Sequence, residues 1–178
     1  MNLPNKLTML RVCLVPVFVV LMLAEGIPYG NIWAGVLFIA ASLTDTLDGY
    51  LARKNNLVTD FGKFMDPIAD KLLVCSAMIC LVAQEKLAAW MVIIIIGREF
   101  IISGFRLVAS DKGTVIAASY WGKFKTVFQM IMIVMLIYDF GEVWNHLALA
   151  VTWIALVLTV VSMIDYLRKN WSIMDGQM

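Results

Sequence analysis

Four aspartates stand close together in a chain that is otherwise largely apolar: Asp45 and Asp48, three apart, and Asp66 and Asp70, four apart. On helices, each pair projects from one face. An ionised Asp at the centre of a helix in lipid costs roughly 2.5 to 3.5 kcal/mol, so four of them must meet cations or water. Carboxylates with no His or Cys beside them suit a hard cation, Mg²⁺ first, with Mn²⁺ or Ca²⁺ behind it. Two such pairs facing one another across a cavity would hold two ions about 3.5 to 4 Å apart and clamp a pyrophosphate, neutralising the charge that grows on a bridging oxygen as its bond breaks. Gly49 and Ala52, one and four residues beyond Asp48, leave little bulk beside the metal and so leave room for a nucleotide. Arg53 lies about 12 Å along the helix from Asp45 at 1.5 Å per residue, within reach of a diphosphate. The alternative is a solvated helix-end network in which the acids pair with Arg53, Lys54, Lys63 and Lys71. Such a network has no need of the small residues.

The elements that must carry these acids are membrane spans. At 62% hydrophobic content over 178 residues, the apolar runs exceed what a soluble core needs. Six segments are predicted: Leu7 to Ala24, Asn31 to Thr44 continuing into the acidic stretch, Pro67 to Ala83, Ala88 to Val108, Tyr120 to Tyr138, and Leu147 to Leu167. Most approach the roughly 20 residues that a helix needs to cross a bilayer. The expectation is an all-α integral membrane protein, a single domain over residues 1–178, with six transmembrane helices in a compact bundle. Alternate connections carry Lys6 and Arg11, then Arg53, Lys54 and Lys63, then Lys112, Lys123 and Lys125, then Arg168 and Lys169. By the positive-inside rule, both termini and the acid cluster face the cytoplasm of a cell-membrane protein. Lys6 and Arg11 before an apolar run also resemble a secretory leader, but a Glu inside the cleavage-like Ala24-Glu25-Gly26 and the interruption at Pro16 favour a first span. Trp33, Trp90, Trp121, Trp144 and Tyr166 are placed at span ends, where aromatic belts sit.

A second set of polar residues is cationic. Arg98 falls mid-span, where an Arg should face a cavity or a partner. Arg106 lies eight residues on, and Lys123 and Lys125 open the fifth span from the same predicted side. Together they would hold a phosphate dianion. The competing readings are a pair between Arg98 and Glu99, weakened because adjacent helix positions point different ways, and ordinary flanking charge for the lysines.

The pattern Asp45-x-x-Asp48-Gly49-x-x-Ala52-Arg53, eight residues, Gly62-x-x-x-Asp66-x-x-x-Asp70 resembles the signature of the CDP-alcohol phosphotransferase family at every one of its eight fixed positions. The run Asn2 to Arg11, Gly97-Arg98-Glu99-Phe100, and Gly122-Lys123-x-Lys125-Thr126-x-x-Gln129 are similar to the branch of that family that uses glycerol phosphate. The resemblance implies a membrane transferase joining CDP-diacylglycerol to glycerol 3-phosphate, with two Mg²⁺ or Mn²⁺ ions per site, in a homodimer. It implies Asp45, Asp48 and Asp66 as the main metal ligands. It makes Asp70 the general base for the acceptor hydroxyl, sharing one ion. It implies a nucleotide-lipid site of Asn5, Thr8, Asp48, Gly49, Ala52, Arg53 and Gly62, and it favours Arg98, Arg106, Lys123 and Lys125 for the acceptor's phosphate.

Two other readings compete. A sibling transferase would take inositol phosphate or serine. An ion-coupled transporter would want its acids near the midplane with paired broken spans, whereas here they cluster beside Arg53. Near-zero net charge, with no single basic block, argues against a nucleic-acid partner. Cys13, Cys75 and Cys80 lack metal-site spacing and are expected as small core residues, and His146 as a surface residue. Asp165 is expected to pair with Arg168, and Asp60 with Thr59 to cap the third helix.

Overall fold

Each long apolar run becomes a helix that starts and stops at polar or glycine punctuation. The computed structural model describes the backbone of residues 3–54, 60–111 and 119–171 and, within these, the side chains apart from 3–5, 45–54, 60–64, 66–67 and 110–111. Among the described residues there are six helices and no strand: α1 (Leu3–Leu23), α2 (Gly30–Lys54), α3 (Asp60–Ala83), α4 (Ala89–Asp111), α5 (Tyr120–Ile137) and α6 (Glu142–Asn170). Among them α1, α5 and α6 are long and apolar enough to cross a membrane. The apolar run of α4 is interrupted by Arg98, Glu99 and Arg106, and the apolar part of α2 is the shorter stretch Gly30–Thr44. α1 runs through Pro16, as the predicted first segment does, and starts earlier, at Leu3; α3 begins at Asp60, a full turn and more before Asp66. Thr59 and the side chain of Asp60 lie outside the described residues.

The chain divides into two compact units, Met1–Leu87 with Leu136–Asp139, and Ala88–Met135 with Phe140–Met178. In the first, α1 packs against α2 and α3. Its buried stripe reads Thr8, Arg11, Val15, Phe18 and Met22, the three-and-four spacing of one helical face. Phe18 meets Phe38 of α2 at 6.0 Å between ring centroids. The Gln84 amide, just beyond α3, donates to the Met22 carbonyl at 2.6 Å and to Asn31 Oδ1 at 3.0 Å, which joins the C-terminal end of α3 to that of α1. α1 and α3 therefore run parallel, with α2 antiparallel between them in sequence.

Close approach decides one residue type here. A Cβ at Gly30 would lie 2.5 Å from the Leu21 carbonyl oxygen, a backbone atom that cannot swing aside. The turn after α3 closes with Lys86 N–H donating to the Leu81 carbonyl at 2.9 Å while Glu85 takes φ of 59°, a left-handed position that helix ends usually fill with glycine.

In the second unit α4 packs against α6. α4 buries Met91, Ile95, Arg98, Ile102 and Ala109, and α6 buries Ala148, Thr152, Ala155, Thr159, Ser162 and Tyr166. Trp90 meets Trp153, Arg98 meets Ser162, and Phe105 meets Tyr166, so the two helices run parallel. Small and hydroxylated residues on the α6 stripe let backbones approach closely where packing, not water, drives association. The Thr152 and Thr159 hydroxyls are satisfied on the carbonyls of Ala148 and Ala155 at 2.8 and 2.7 Å.

Outward faces are apolar as well, with Leu10, Val17 and Val20 exposed on α1 and Ile93, Phe100 and Leu107 on α4. Helices apolar on both the packed and the outward side match a protein whose surrounding solvent is lipid. Of the cysteines only Cys80 is in the core, since Cys13 is exposed and Cys75 half-buried. Tyr166 is not a belt residue: it is buried between α4 and α6, while Trp33, Trp90 and Trp121 are exposed. His146 is exposed.

Candidate active site

The acid stretch occupies the last third of α2 and the first turns of α3 in the first unit. Positions 45 and 48 continue the spacing of the buried Ala34, Phe38 and Ala41, and positions 66 and 70 that of Leu73 and Ala77. Both pairs thus extend the register by which their helices pack. The side chains of Asp45, Asp48, Gly49, Ala52, Arg53, Gly62 and Asp66 lie outside the described residues, as does that of Asn5 on α1. Asp70 is described and is half-buried. The donor chemistry of the four positions, oxygen only, fits a hard divalent cation.

α1 adds two residues at this end. Phe18 faces Phe38, and α1 and α2 are antiparallel, so seven residues from each (18 − 11 and 45 − 38) brings Arg11 level with Asp45. Ten residues (18 − 8 and 48 − 38) brings Thr8 level with Asp48. The parallel pair agrees: fourteen residues from Met22 to Thr8 and from Gln84 to Asp70 bring those two level. Thr8 and Arg11 are both buried, each only 3% exposed. The sequence reading counted Arg11 as flanking charge. Its place in the 8, 11, 15, 18, 22 stripe was the signal that marked it as buried.

The cation set lies in the second unit, and the structure divides it. Arg98 sits on the buried stripe of α4 at 8% exposure, and Lys125 on α5 at 1%. Both donate to the same oxygen, Glu99 Oε1, Arg98 through Nη1 at 2.9 Å and Lys125 through Nζ. Arg98 Nε also donates to Ser162 Oγ on α6 at 3.2 Å. The predicted divergence of Arg98 and Glu99 therefore does not hold. The guanidinium spans enough length to turn back to the neighbouring carboxylate, and Lys125 supplies the second reason to meet there. A Cβ at Gly122 would come 3.2 Å from Arg98 Nη2, so the guanidinium edge lies against the α5 backbone. Ser119 starts that helix by accepting Gly122 N–H at 3.1 Å.

Arg106 is exposed, with its guanidinium carbon 5.9 Å from the centroid of the Tyr166 ring, a cation–π distance. The Tyr166 hydroxyl is buried without a hydrogen-bond partner among the described residues. Lys123 is exposed and does not share the Glu99 contact that holds Lys125. Asp165 pairs with Lys169 at 2.8 Å, one helical turn on, instead of with Arg168. The Arg98–Glu99 pair was the competing reading of the sequence and is present, whereas the contacts of Arg98 with Ser162 and Gly122 had no signal in the sequence, because α4 must meet α6 and α5 before either forms.

Comparison with known proteins bears on what these two groups serve. A family model described as CDP-alcohol phosphatidyltransferase matches residues 1–161. A Bacillus subtilis protein named CDP-diacylglycerol–glycerol-3-phosphate 3-phosphatidyltransferase is 47% identical, with 96% of this chain and 95% of that protein covered. A Haemophilus influenzae protein of the same name is 39% identical over 98% of this chain and 97% of its own length. A Mycobacterium tuberculosis protein named probable phosphatidylglycerophosphate synthase is 37% identical, with 94% and 81% covered.

Proposed function

Since this chain belongs to the CDP-alcohol phosphatidyltransferase family, we propose that it joins CDP-diacylglycerol to glycerol 3-phosphate, releasing CMP and forming phosphatidylglycerophosphate. The observation that carries this reading is identity of 37–47% over nearly the whole chain to proteins named for that reaction or its product, together with all eight signature positions.

The chemistry is a substitution at phosphorus. Asp70 accepts the proton of the glycerol hydroxyl. That oxygen forms the new bond to the lipid-side phosphorus, and the bond from that phosphorus to the bridging oxygen breaks, so CMP leaves with the electron pair. Asp45, Asp48 and Asp66, with Asp70 sharing one ion, would hold two Mg²⁺ or Mn²⁺ ions, whose charge would neutralise the diphosphate. Asn5, Thr8, Gly49, Ala52, Arg53 and Gly62 bind the nucleotide and its diphosphate. Arg98 and Lys125, with Arg106 and Lys123 outside them, take the phosphate of the acceptor. The assignment of Arg98 and Lys125 is supported by their convergence on one point from two helices, the arrangement a phosphate dianion needs.

All six helices are assigned to the membrane, both termini and the acid stretch to the cytoplasmic side, on the alternation of Lys and Arg between successive connections. The acyl chains of the donor then stay in lipid while its head group is processed at the membrane surface. The homodimer implied by the family resemblance belongs to the same proposal. Purified protein supplied with Mg²⁺ and CDP-diacylglycerol is expected to release CMP on addition of glycerol 3-phosphate. Equal or greater release with inositol phosphate or serine would overturn the choice of acceptor.

A further inference from the structure

Arg98 and Lys125 approach one carboxylate oxygen from two different helices, and that oxygen belongs to a residue with no part in the reaction as assigned above. We propose that Glu99 is a positioning residue of the acceptor-phosphate site, holding the Arg98 guanidinium and the Lys125 ammonium on a common point. This rests on the assignment of those two cations to the acceptor's phosphate.

Three observations carry it. First, Arg98 and Lys125 are buried while Glu99 keeps 20% of its side chain exposed, so the carboxylate neutralises two cations that have little access to water. Second, Arg98 is fixed at two atoms, Nε on Ser162 of α6 and Nη1 on Glu99, with Nη2 left against the backbone of α5 at Gly122. A guanidinium pinned in this way presents a set direction to an incoming anion, and little rotamer freedom is lost on binding. Third, both donors meet Oε1, which brings a guanidinium and an ammonium within hydrogen-bond reach of one point. That point is occupied by Oε1, so an anion bound beside it by one cation lies next to the other. Without the carboxylate, two buried cations on neighbouring helices repel, and the long Lys125 side chain loses the contact that directs it. Counted by themselves, Arg98, Glu99 and Lys125 carry a net charge of +1, which leaves the cluster attractive to an anion.

The test is steady-state kinetics on the purified full-length protein, measuring CMP release with glycerol 3-phosphate and CDP-diacylglycerol varied in turn. Glu99→Gln keeps the shape and removes the charge. It is expected to raise the KM for glycerol 3-phosphate about tenfold, the scale of one charged hydrogen bond, and to leave the KM for CDP-diacylglycerol where it was. Glu99→Asp, which keeps the charge on a shorter arm, should raise it less. In a Lys125→Met background, Glu99→Gln should raise it by less than about twofold more, because residues acting through one contact do not add. If Arg98→Gln and Lys125→Met leave the acceptor KM unchanged, the acceptor-site assignment itself fails. If those two raise it and Glu99→Gln does not, or if Glu99→Gln moves both KM values alike, the assignment stands and the role of Glu99 is overturned. Failure of both Glu99 variants to accumulate in the membrane would assign the residue to folding and overturn the inference as well.

Discussion

Replacing Arg98 by lysine keeps the charge and discards the fork, and the structure sets what that costs. Arg98 makes two contacts in different directions, Nε to Ser162 Oγ at 3.2 Å and Nη1 to Glu99 Oε1 at 2.9 Å, with Nη2 lying along α5. A single ammonium on the same stem cannot reach both α6 and the Glu99 carboxylate. One hydrogen bond to a charged group is therefore lost, worth about 1.5 to 3 kcal/mol. If the fixed guanidinium is what receives the acceptor's phosphate, that loss raises the KM for glycerol 3-phosphate by roughly 10- to 150-fold. Arg98→Met, which also removes the charge, should be worse. The assay is CMP release at saturating CDP-diacylglycerol and Mg²⁺ with glycerol 3-phosphate varied, alongside thermal unfolding in detergent to confirm that the variant is folded. A folded Arg98→Lys protein with an unchanged acceptor KM would refute the reasoning, because orientation by Ser162 and Glu99 would then be irrelevant to binding.

Asp70→Asn should lower kcat by about 10² to 10⁴, the usual contribution of a positioned base, and a variant with wild-type turnover would remove Asp70 from that role. Chelation of divalent ions should abolish turnover, with Mg²⁺ or Mn²⁺ restoring it; activity surviving exhaustive chelation would exclude the metal assignment. Gly30→Ala places a Cβ 2.5 Å from the Leu21 carbonyl oxygen, and about 1 to 3 kcal/mol of destabilisation is expected in thermal unfolding. Glu85→Gly relieves a left-handed backbone at the end of α3 and should stabilise by roughly 1 kcal/mol, so a lower melting temperature would contradict the strain. Burial pushes the Lys86 ammonium below its ordinary value of 10.5, and Asp139 partly offsets this. Since folding disfavours the charged form, the penalty is fully present at neutral pH and disappears as pH rises through the folded value towards 10.5. Wild type should therefore gain stability relative to Lys86→Met over that interval, and parallel melting curves would show that the burial carries no penalty.

Much of this protein was legible because its two kinds of information are local. Apolar runs between charged connections mark the six helices described, of which α1, α5 and α6 are long and apolar enough to cross a membrane, and their order and extents differ from the sequence reading only at the ends. The largest difference is at α3. The predicted apolar segment starts at Pro67 while the helix starts at Asp60, because Gly62, Lys63 and Asp66 interrupt Phe61, Phe64 and Met65 and lower the hydropathy of that stretch. The aspartate signature is likewise local, since three- and four-residue spacings fix a shared face as soon as the segment is helical.

What only the tertiary structure decided concerns charges far apart in the chain. Lys123 and Lys125 read alike as cations at one predicted side, yet Lys125 is buried against Glu99 while Lys123 is exposed. Two positions round a helix turn a side chain by about 200°, so which one meets α4 depends on how α5 is rotated, and that is set by packing. Arg11 passed for a flanking charge until the stripe from Thr8 to Met22 was seen to pack on α2 and α3. Tyr166 passed for a belt residue until α6 turned it toward Phe105. The sequence by itself determined the apolar helices and the family, because each rests on composition and spacing along a continuous stretch of chain. The company kept by Arg98, with Glu99, Lys125, Ser162 and Gly122 around it, was decided by the folded chain, because a buried charge finds its partners only when separate helices meet.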